Sequence, residues 1–235
     1  MLHNLFLSFS ILDLKNMKRT ATIVIFSAAM FVGQVRAQLQ DEEDNQSWND
    51  VQLTLPVNDH FEFNTAFTLR LGKNITRVND SRLALGFTVK PTKSLSIQPF
   101  YWYIRARNAV SQFRTEHRLN LRFVYKLPIK SFGLSHRSWF EYRIRGPLKA
   151  WRYRPSLTFE KEIPERWLKK SKFYVTEEVF YDSLLKRFSR NRFTVGVNRI
   201  LSKQASVDLY YMRQNDGFTR PGDLNVIGTG WRLKF

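Results

Sequence analysis

The chain has 235 residues, no cysteine and a formal charge of +18, which excludes disulfides, thiol chemistry and Cys-ligated metals. Beyond residue 37 no apolar run approaches the roughly 18 residues a helical membrane span needs. The basic residues are spread along the chain, and the export signal below argues against nucleic acid as their partner, leaving carboxylates of the same chain, lipopolysaccharide phosphates or an anionic solute.

Met17-Lys18-Arg19 forms a short basic n-region, followed by an apolar run from Ala21 to Val32. That run has the length of a secretory h-region and is too short for a spanning helix. Val35-x-Ala37 is a small-residue cleavage pattern, so cutting is expected before Gln38. Met17 then serves as initiator, and residues 1–16 are upstream sequence or a longer n-region. Residues 38–47 are polar and acidic and predict a flexible lead-in or a segment threading the lumen, not a strand. Residues 48–235 form the remaining unit.

From Trp48 onward apolar and polar residues alternate with the period of two that marks a strand. The predicted strands are about 48–57, 61–71, 81–90, 95–105, 113–126, 133–145, 150–162, 172–182, 190–201, 205–215 and 225–235. In 113–126, for example, Leu119, Leu121, Phe123 and Tyr125 oppose Arg118, Asn120, Arg122 and Lys126. Sidedness is unclear in the fourth strand, where Trp102 and Ile104 oppose Tyr101 and Tyr103. The eighth is the least decided, because Phe173, Val175, Val179 and Tyr181 share a face with Glu177 while Tyr174 and Phe180 share one with Glu178. Short connections (58–60, 91–94, 127–132, 202–204) alternate with longer ones (72–80, 106–112, 182–190, 215–222), with 146–149 and 163–171 breaking the order. Trp48, Tyr101, Tyr103, Tyr125, Trp151, Tyr153, Tyr181, Tyr211 and Trp231 lie near strand ends, which fits aromatic girdles.

The last strand sets Ile227, Thr229, Trp231, Leu233 and Phe235 against Val226, Gly228, Gly230, Arg232 and Lys234. With its terminal Phe it resembles the C-terminal assembly signal of Gram-negative outer-membrane barrels, carried by Trp231, Leu233 and Phe235. The expected fold is an all-β, antiparallel up-and-down transmembrane barrel of 10–12 strands. Eleven segments are an awkward count, since single-chain bacterial barrels have even numbers. A missed or split strand, a strand that does not span, or a lead-in that enters strand one from the far side would resolve it. The alternative is a soluble periplasmic barrel or sandwich, with the apolar faces inward and the Arg-rich faces in water.

The arrangement also resembles a family of exported barrels catalogued as domain of unknown function 2490. SWNDVQLTLPV from Ser47, EHRLNLRFVYKL at 116–127, LSHRSWFEYRIR at 134–145, WRYRPSLTF at 151–159, Asn191-Arg192 and the terminal strand carry the resemblance over most of 48–235. It implies a porin-like barrel in the outer membrane of a Gram-negative bacterium and brings no established activity. The partners expected are outer-membrane lipid, lipopolysaccharide and the barrel-assembly machinery.

If the apolar faces meet lipid, the lumen receives Arg70, Arg82, Arg114, Arg118, Arg122, Arg137, Arg143, Arg145, Arg152, Arg154, Arg192 and Arg232, with Glu62, Glu116, Glu141, Glu160, Glu162 and Asp208. Arg and Glu on neighbouring strands pair across a sheet, so a structural barrel with a salt-bridged lumen is the leading expectation. Arg exceeds the carboxylates, which keeps a narrow anion-selective pore as the alternative. An outer-membrane phospholipase-like enzyme is a third: His136 and Ser138 share the lipid-side face two residues apart, but the sequence offers no evident orienting Asn or Asp. His60 falls in a turn and His117 near a rim, neither with metal-ligand spacing. Glu177 and Glu178 point to opposite faces and cannot form a dyad. No catalytic residue, metal site or cofactor is expected.

Overall fold

The computed structural model describes residues 43–108 and 110–235. The expected signal peptide, its cleavage site before Gln38 and residues 38–42 of the lead-in lie outside the described residues. Eleven strands follow in chain order: β1 (Asp44–Pro56), β2 (Phe61–Gly72), β3 (Arg77–Val89), β4 (Leu95–Arg107), β5 (Phe113–Lys126), β6 (Gly133–Arg145), β7 (Leu148–Glu162), β8 (Ser171–Asp182), β9 (Arg187–Ile200), β10 (Ala205–Asp216) and β11 (Leu224–Lys234). They form one closed barrel in which each strand pairs with its chain neighbours and β1 closes on β11.

The neighbour pairs are antiparallel, but the closing pair is parallel, in register from Asp44↔Leu224 to Thr54↔Lys234. An odd strand number forces this, because β1 and β11 then run the same way. The expectation of an antiparallel sheet throughout therefore fails at the seam. β1 starts at one rim, hereafter the Asp44 rim, and β11 ends at the other, the Phe235 rim.

The expected lead-in is also corrected: residues 44–47 belong to β1. Their polarity is accommodated by specific partners. The Asp44 carboxylate accepts the backbone N–H of Asn74 (2.7 Å) and of Lys73 (3.0 Å) in the β2–β3 turn. It also accepts Gln46 Nε2 at 2.8 Å, and Gln46 Oε1 accepts Trp48 Nε1 at 2.8 Å. An inner-face ladder of polar groups thus does what apolar alternation does elsewhere. Similarly, the longer loops expected at 72–80 and 182–190 contract to turns at 73–76 and 183–186, because Asp80, Asp182 and Arg190 are strand residues that pair inside the barrel. The two rims consequently lack the expected short-versus-long asymmetry; the 163–170 connection at the Phe235 rim is longer than any of 73–76, 108–112, 146–147 and 183–186 opposite.

The sheet is inside-out relative to a soluble barrel. Apolar side chains such as Ile227 (64% exposed) face outward, while Glu141 (1%) lies inside. A soluble barrel needs the reverse. β4 turns Phe100, Trp102 and Ile104 inward and Tyr101 and Tyr103 outward; β8 turns Tyr174, Glu178, Phe180 and Asp182 inward and Glu177 outward. Trp48, expected in a girdle, is buried inside with Met212, Leu224 and Val226, against Tyr210. On the seam side the interior is filled from one strand to the next. The Tyr210 ring lies across Gly228, where a Cβ would collide with it.

Candidate functional site

The strand alternation brings the predicted charged residues into one lumen. Arg70, Arg82, Arg118, Arg122, Arg137, Arg143, Arg152, Arg154 and Arg192 are buried or half-buried there, as are Glu62, Glu116, Glu141 and Asp208. Arg114, Arg145 and Arg232 lie exposed towards the rims, and Glu160 and Glu162 pair with Lys172 at the Phe235 rim rather than inside. These residues stand near the ends of β5, β6, β7 and β11, still paired in the sheet.

Each buried glutamate holds two or more cationic side chains. Glu141 meets Arg154 (2.5 Å) and Arg118 (3.2 Å). Glu116 meets Arg143 (2.6 Å), Arg118 (2.7 Å) and Arg145 (3.5 Å). Glu62 at the Phe235 rim takes Lys90 (2.6 Å) and Lys234 (2.8 Å), and Asp208 takes Arg232 (2.6 Å). Four further acids enter the network that sequence reasoning did not place there. Glu178 meets Arg137 (2.5 Å), Arg154 (2.9 Å) and Arg192 (3.7 Å); Asp182 meets Arg152 (2.6 Å); Asp80 pairs with Arg82, and Asp216 with Arg190. Glu178 escaped because the facing of β8 could not be decided. The three aspartates escaped because they stand at strand ends among polar neighbours.

Aromatic rings stack between these cations. Arg70 lies over Trp48 (3.4 Å to the ring centroid), Arg192 over Trp48 (4.9 Å) and Phe180 (4.7 Å), and Arg154 over Phe180 (4.4 Å) and Trp139 (3.8 Å). Trp139 packs on Trp102 at 5.2 Å, Arg82 approaches Trp102 at 5.3 Å, and Asp80 links Arg82 back to Arg70, 3.9 Å away. The circuit closes on itself across the lumen. Trp139 is 4%, Arg154 5% and Phe180 2% exposed, so the middle of the belt is almost wholly buried, while Arg70 and Trp102 are half-buried.

Toward the Phe235 rim the inner side chains open out, and Gln52, Asn64, Gln98, Ser135, Thr158 and Thr176 are half-buried. Arg122 faces this vestibule. It donates to Gln98 Oε1 (3.0 Å) and lies over Trp139 (4.2 Å) and Phe100 (4.8 Å), with no carboxylate in ion-pair range among the described residues. The Nε atoms of Arg122 and Arg137 carry no hydrogen bond.

On the outer face His136 Nε2 is 3.1 Å from Ser138 Oγ, which is 3.1 Å from Tyr153 Oη. Among the described residues no side chain holds the other nitrogen of His136, so the base lacks an orienting partner. His117 Nδ1 is 2.6 Å from Tyr101 Oη, and His60 Nδ1 is 2.9 Å from the Lys90 carbonyl. Among the described residues no group of three or more His, Asp or Glu is placed to hold a metal. In the terminal strand Trp231 and Phe235 are exposed, and the Phe235 N–H donates to the Thr54 carbonyl at 3.1 Å.

The chain is similar to two solved porins. A NanC porin in a rhombohedral crystal form aligns with 82% of this chain and 99% of its own at 10% identity and TM-score 0.49. An anion-selective porin from Comamonas acidovorans aligns with 75% of this chain and 54% of its own at 9% identity and TM-score 0.39. No curated protein matches the chain. A family model matches residues 45–225, from the start of β1 into β11, and the chain therefore belongs to the family described as Protein of unknown function (DUF2490).

Proposed function

We propose that the protein is an outer-membrane β-barrel with a packed, salt-bridged lumen, a structural barrel and not an open pore. The observation that carries this reading is the belt from Trp48 through Arg154 to Trp102, whose central members Trp139, Arg154 and Phe180 are almost wholly buried. The outward apolar faces support a lipid surround, and residues 17–37 supply the export signal, with cleavage before Gln38. Phe235 then sits at the periplasmic rim, where Trp231, Leu233 and Phe235 offer the barrel-assembly machinery its signal. Exposed cations such as Arg105, Arg187 and Lys186 at the opposite end suit lipopolysaccharide phosphates. Membrane fractionation should recover the protein with the outer membrane, and unheated samples should migrate differently from boiled ones on a denaturing gel. In planar bilayers the purified barrel should be electrically silent; steady open conductance would defeat the packed-lumen reading.

Arg122 favours one second reading, a narrow anion-selective pore that opens when the belt rearranges. A guanidinium without a carboxylate leaves a fixed positive charge in the vestibule, and fixed charge sets selectivity. On that reading conductance appears under some condition, prefers anions, and loses that preference in Arg122→Glu.

A further inference from the structure

Among the described residues, Arg122 is the exception in the lumen. Every other buried or half-buried arginine there has a carboxylate in ion-pair range; even Arg70, the most loosely held, has Asp80 at 3.9 Å. The rings of Trp139 and Phe100 recover part of the cost of an unpaired cation, and Gln98 Oε1 takes one of its N–H groups. Neither supplies a negative charge. Charge taken out of water without a partner is costly, so Arg122 is stabilised by any counter-charge that can reach it.

Its neighbours deepen the deficit. Arg122, Arg137 and Arg154 lie 4.2, 5.2 and 3.8 Å from the centroid of one indole, that of Trp139. The carboxylates that serve this group are Glu178 and Glu141, and the same two also hold Arg192 and Arg118. Trp139 Nε1 donates to Asn120 Oδ1 (3.0 Å). Arg122 and Arg137 each stand two positions nearer the Phe235 rim than these two residues, so they floor the vestibule with the belt behind them. The Arg137 side chain is 26% exposed, which leaves it within reach of the vestibule. Among the described residues Arg122 Nη2 and Arg137 Nη1 donate to nothing, and neither do the Gln98 amide nitrogen and the Ser135 hydroxyl beside them.

We propose that this floor binds a small oxyanion, a carboxylate or a phosphate, that enters from the Phe235 rim. Arg122 supplies the charge, Arg137 a second cation at its side, and Gln98 and Ser135 neutral donors. A guanidinium edge matches two oxygens of one oxyanion, which a single-centred chloride cannot offer. The mouth does not turn such an ion away, because Glu62, Glu160, Glu162 and Asp208 are each paired with Lys or Arg there. Asp50 also faces the lumen, but from β1, with β2, β3 and β4 between it and β5, and it accepts the Thr68 hydroxyl at 2.5 Å. The site goes beyond the packed-lumen reading, which needs no ligand, and differs from the pore reading because nothing has to cross the belt.

Tryptophan fluorescence of the purified barrel in detergent reports on the site, because Trp139 lies against Arg122. Inorganic phosphate and, separately, acetate are titrated in place of chloride at matched ionic strength. A saturable change is expected, and the tighter of the two assigns the oxyanion. Arg122→Gln should weaken that binding about tenfold or more. Arg122→Lys, which keeps the charge and loses the two-pronged edge, should weaken it less and carries the test if Arg122→Gln does not fold. Lys93→Gln, in the turn between β3 and β4 at the same rim, should leave the affinity unchanged. No saturation by either oxyanion above the chloride baseline, or wild-type affinity in a folded Arg122 variant, overturns the site. The titration needs neither insertion nor current, so its failure leaves the packed-lumen reading standing, and steady open conductance would defeat that reading without touching the site.

Discussion

Arg154 shows what the lumen asks of a single side chain. It is held by Glu141 and Glu178 and sandwiched between Trp139 and Phe180, so its charge is paired and its planar faces are covered. Glu141 is the tighter constraint, because it serves Arg118 as well. Glu141→Gln removes a buried carboxylate from Arg154 and Arg118, which keep Glu178 and Glu116 respectively, and losing a charged hydrogen-bond partner costs about 1.5–3 kcal/mol. Urea titration of the refolded barrel should therefore show a clearly lower unfolding midpoint. A Glu62→Gln control at the Phe235 rim, where Lys90 and Lys234 are partly solvated, should lose less than about 1 kcal/mol. Side-chain period made these arginines legible in the sequence: in β5, β6 and β7 one parity reads mostly Arg and Glu. It did not make Trp48, Trp139 and Phe180 legible as lumen residues. An aromatic ring ordinarily signals the lipid face, and only the guanidinium stacked on it explains why it turns inward.

At the scale of the strand, two local contacts decide the seam. The Tyr210 ring occupies the space over Gly228 on the paired strand. Gly228→Val forces the ring or the backbone to move, and overpacking of this kind costs about 1–3 kcal/mol. Combining it with Tyr210→Ala should recover part of that loss, which a double-mutant comparison of unfolding midpoints would reveal. Asp44 does comparable service at the start of β1, where it fastens a β2–β3 turn in which Lys73, Asn74 and Ile75 all have positive φ. Such a conformation is unfavourable for the β-branched Ile75 and needs outside support. Asp44→Ala should destabilise the barrel by about 1–3 kcal/mol and speed hydrogen exchange in the 73–76 turn first. The sequence reading stopped β1 short because Asp44 to Ser47 carry no apolar alternation. The information lay in partners about 30 residues away, which periodicity does not see.

For the molecule as a whole, the eleven segments counted from alternation are the eleven strands observed, and the reading of apolar faces as outward agrees with the sheet. How the odd sheet closes was not legible, because closure depends on the pairing of the first strand with the last and no local pattern encodes it. The parallel β1–β11 pair places Glu43 and Phe235 at opposite rims. On the outer-membrane function proposed above, which puts Phe235 at the periplasmic rim, an epitope tag inserted between residues 37 and 43 should be read by antibody on intact cells. A tag following Phe235 should be read only after the outer membrane is permeabilised.

That parallel seam also limits how the chain could be rewired. In an even-stranded barrel the first and last strands meet at one rim, and a short linker joins them, so the chain can be cut elsewhere and circularly permuted. Here a linker from Phe235 back to Asp44 must travel the full height of the barrel. If the barrel spans a membrane as proposed, roughly 30 Å of hydrocarbon asks for at least about nine or ten extended residues. Outside, its backbone would lie unpaired in lipid; inside, it would have to pass the belt that Trp139, Arg154 and Phe180 close. Permutants that relocate the chain ends to any hairpin turn should fail to assemble, whereas cutting the same turn without joining the original ends should leave two fragments that can still pair.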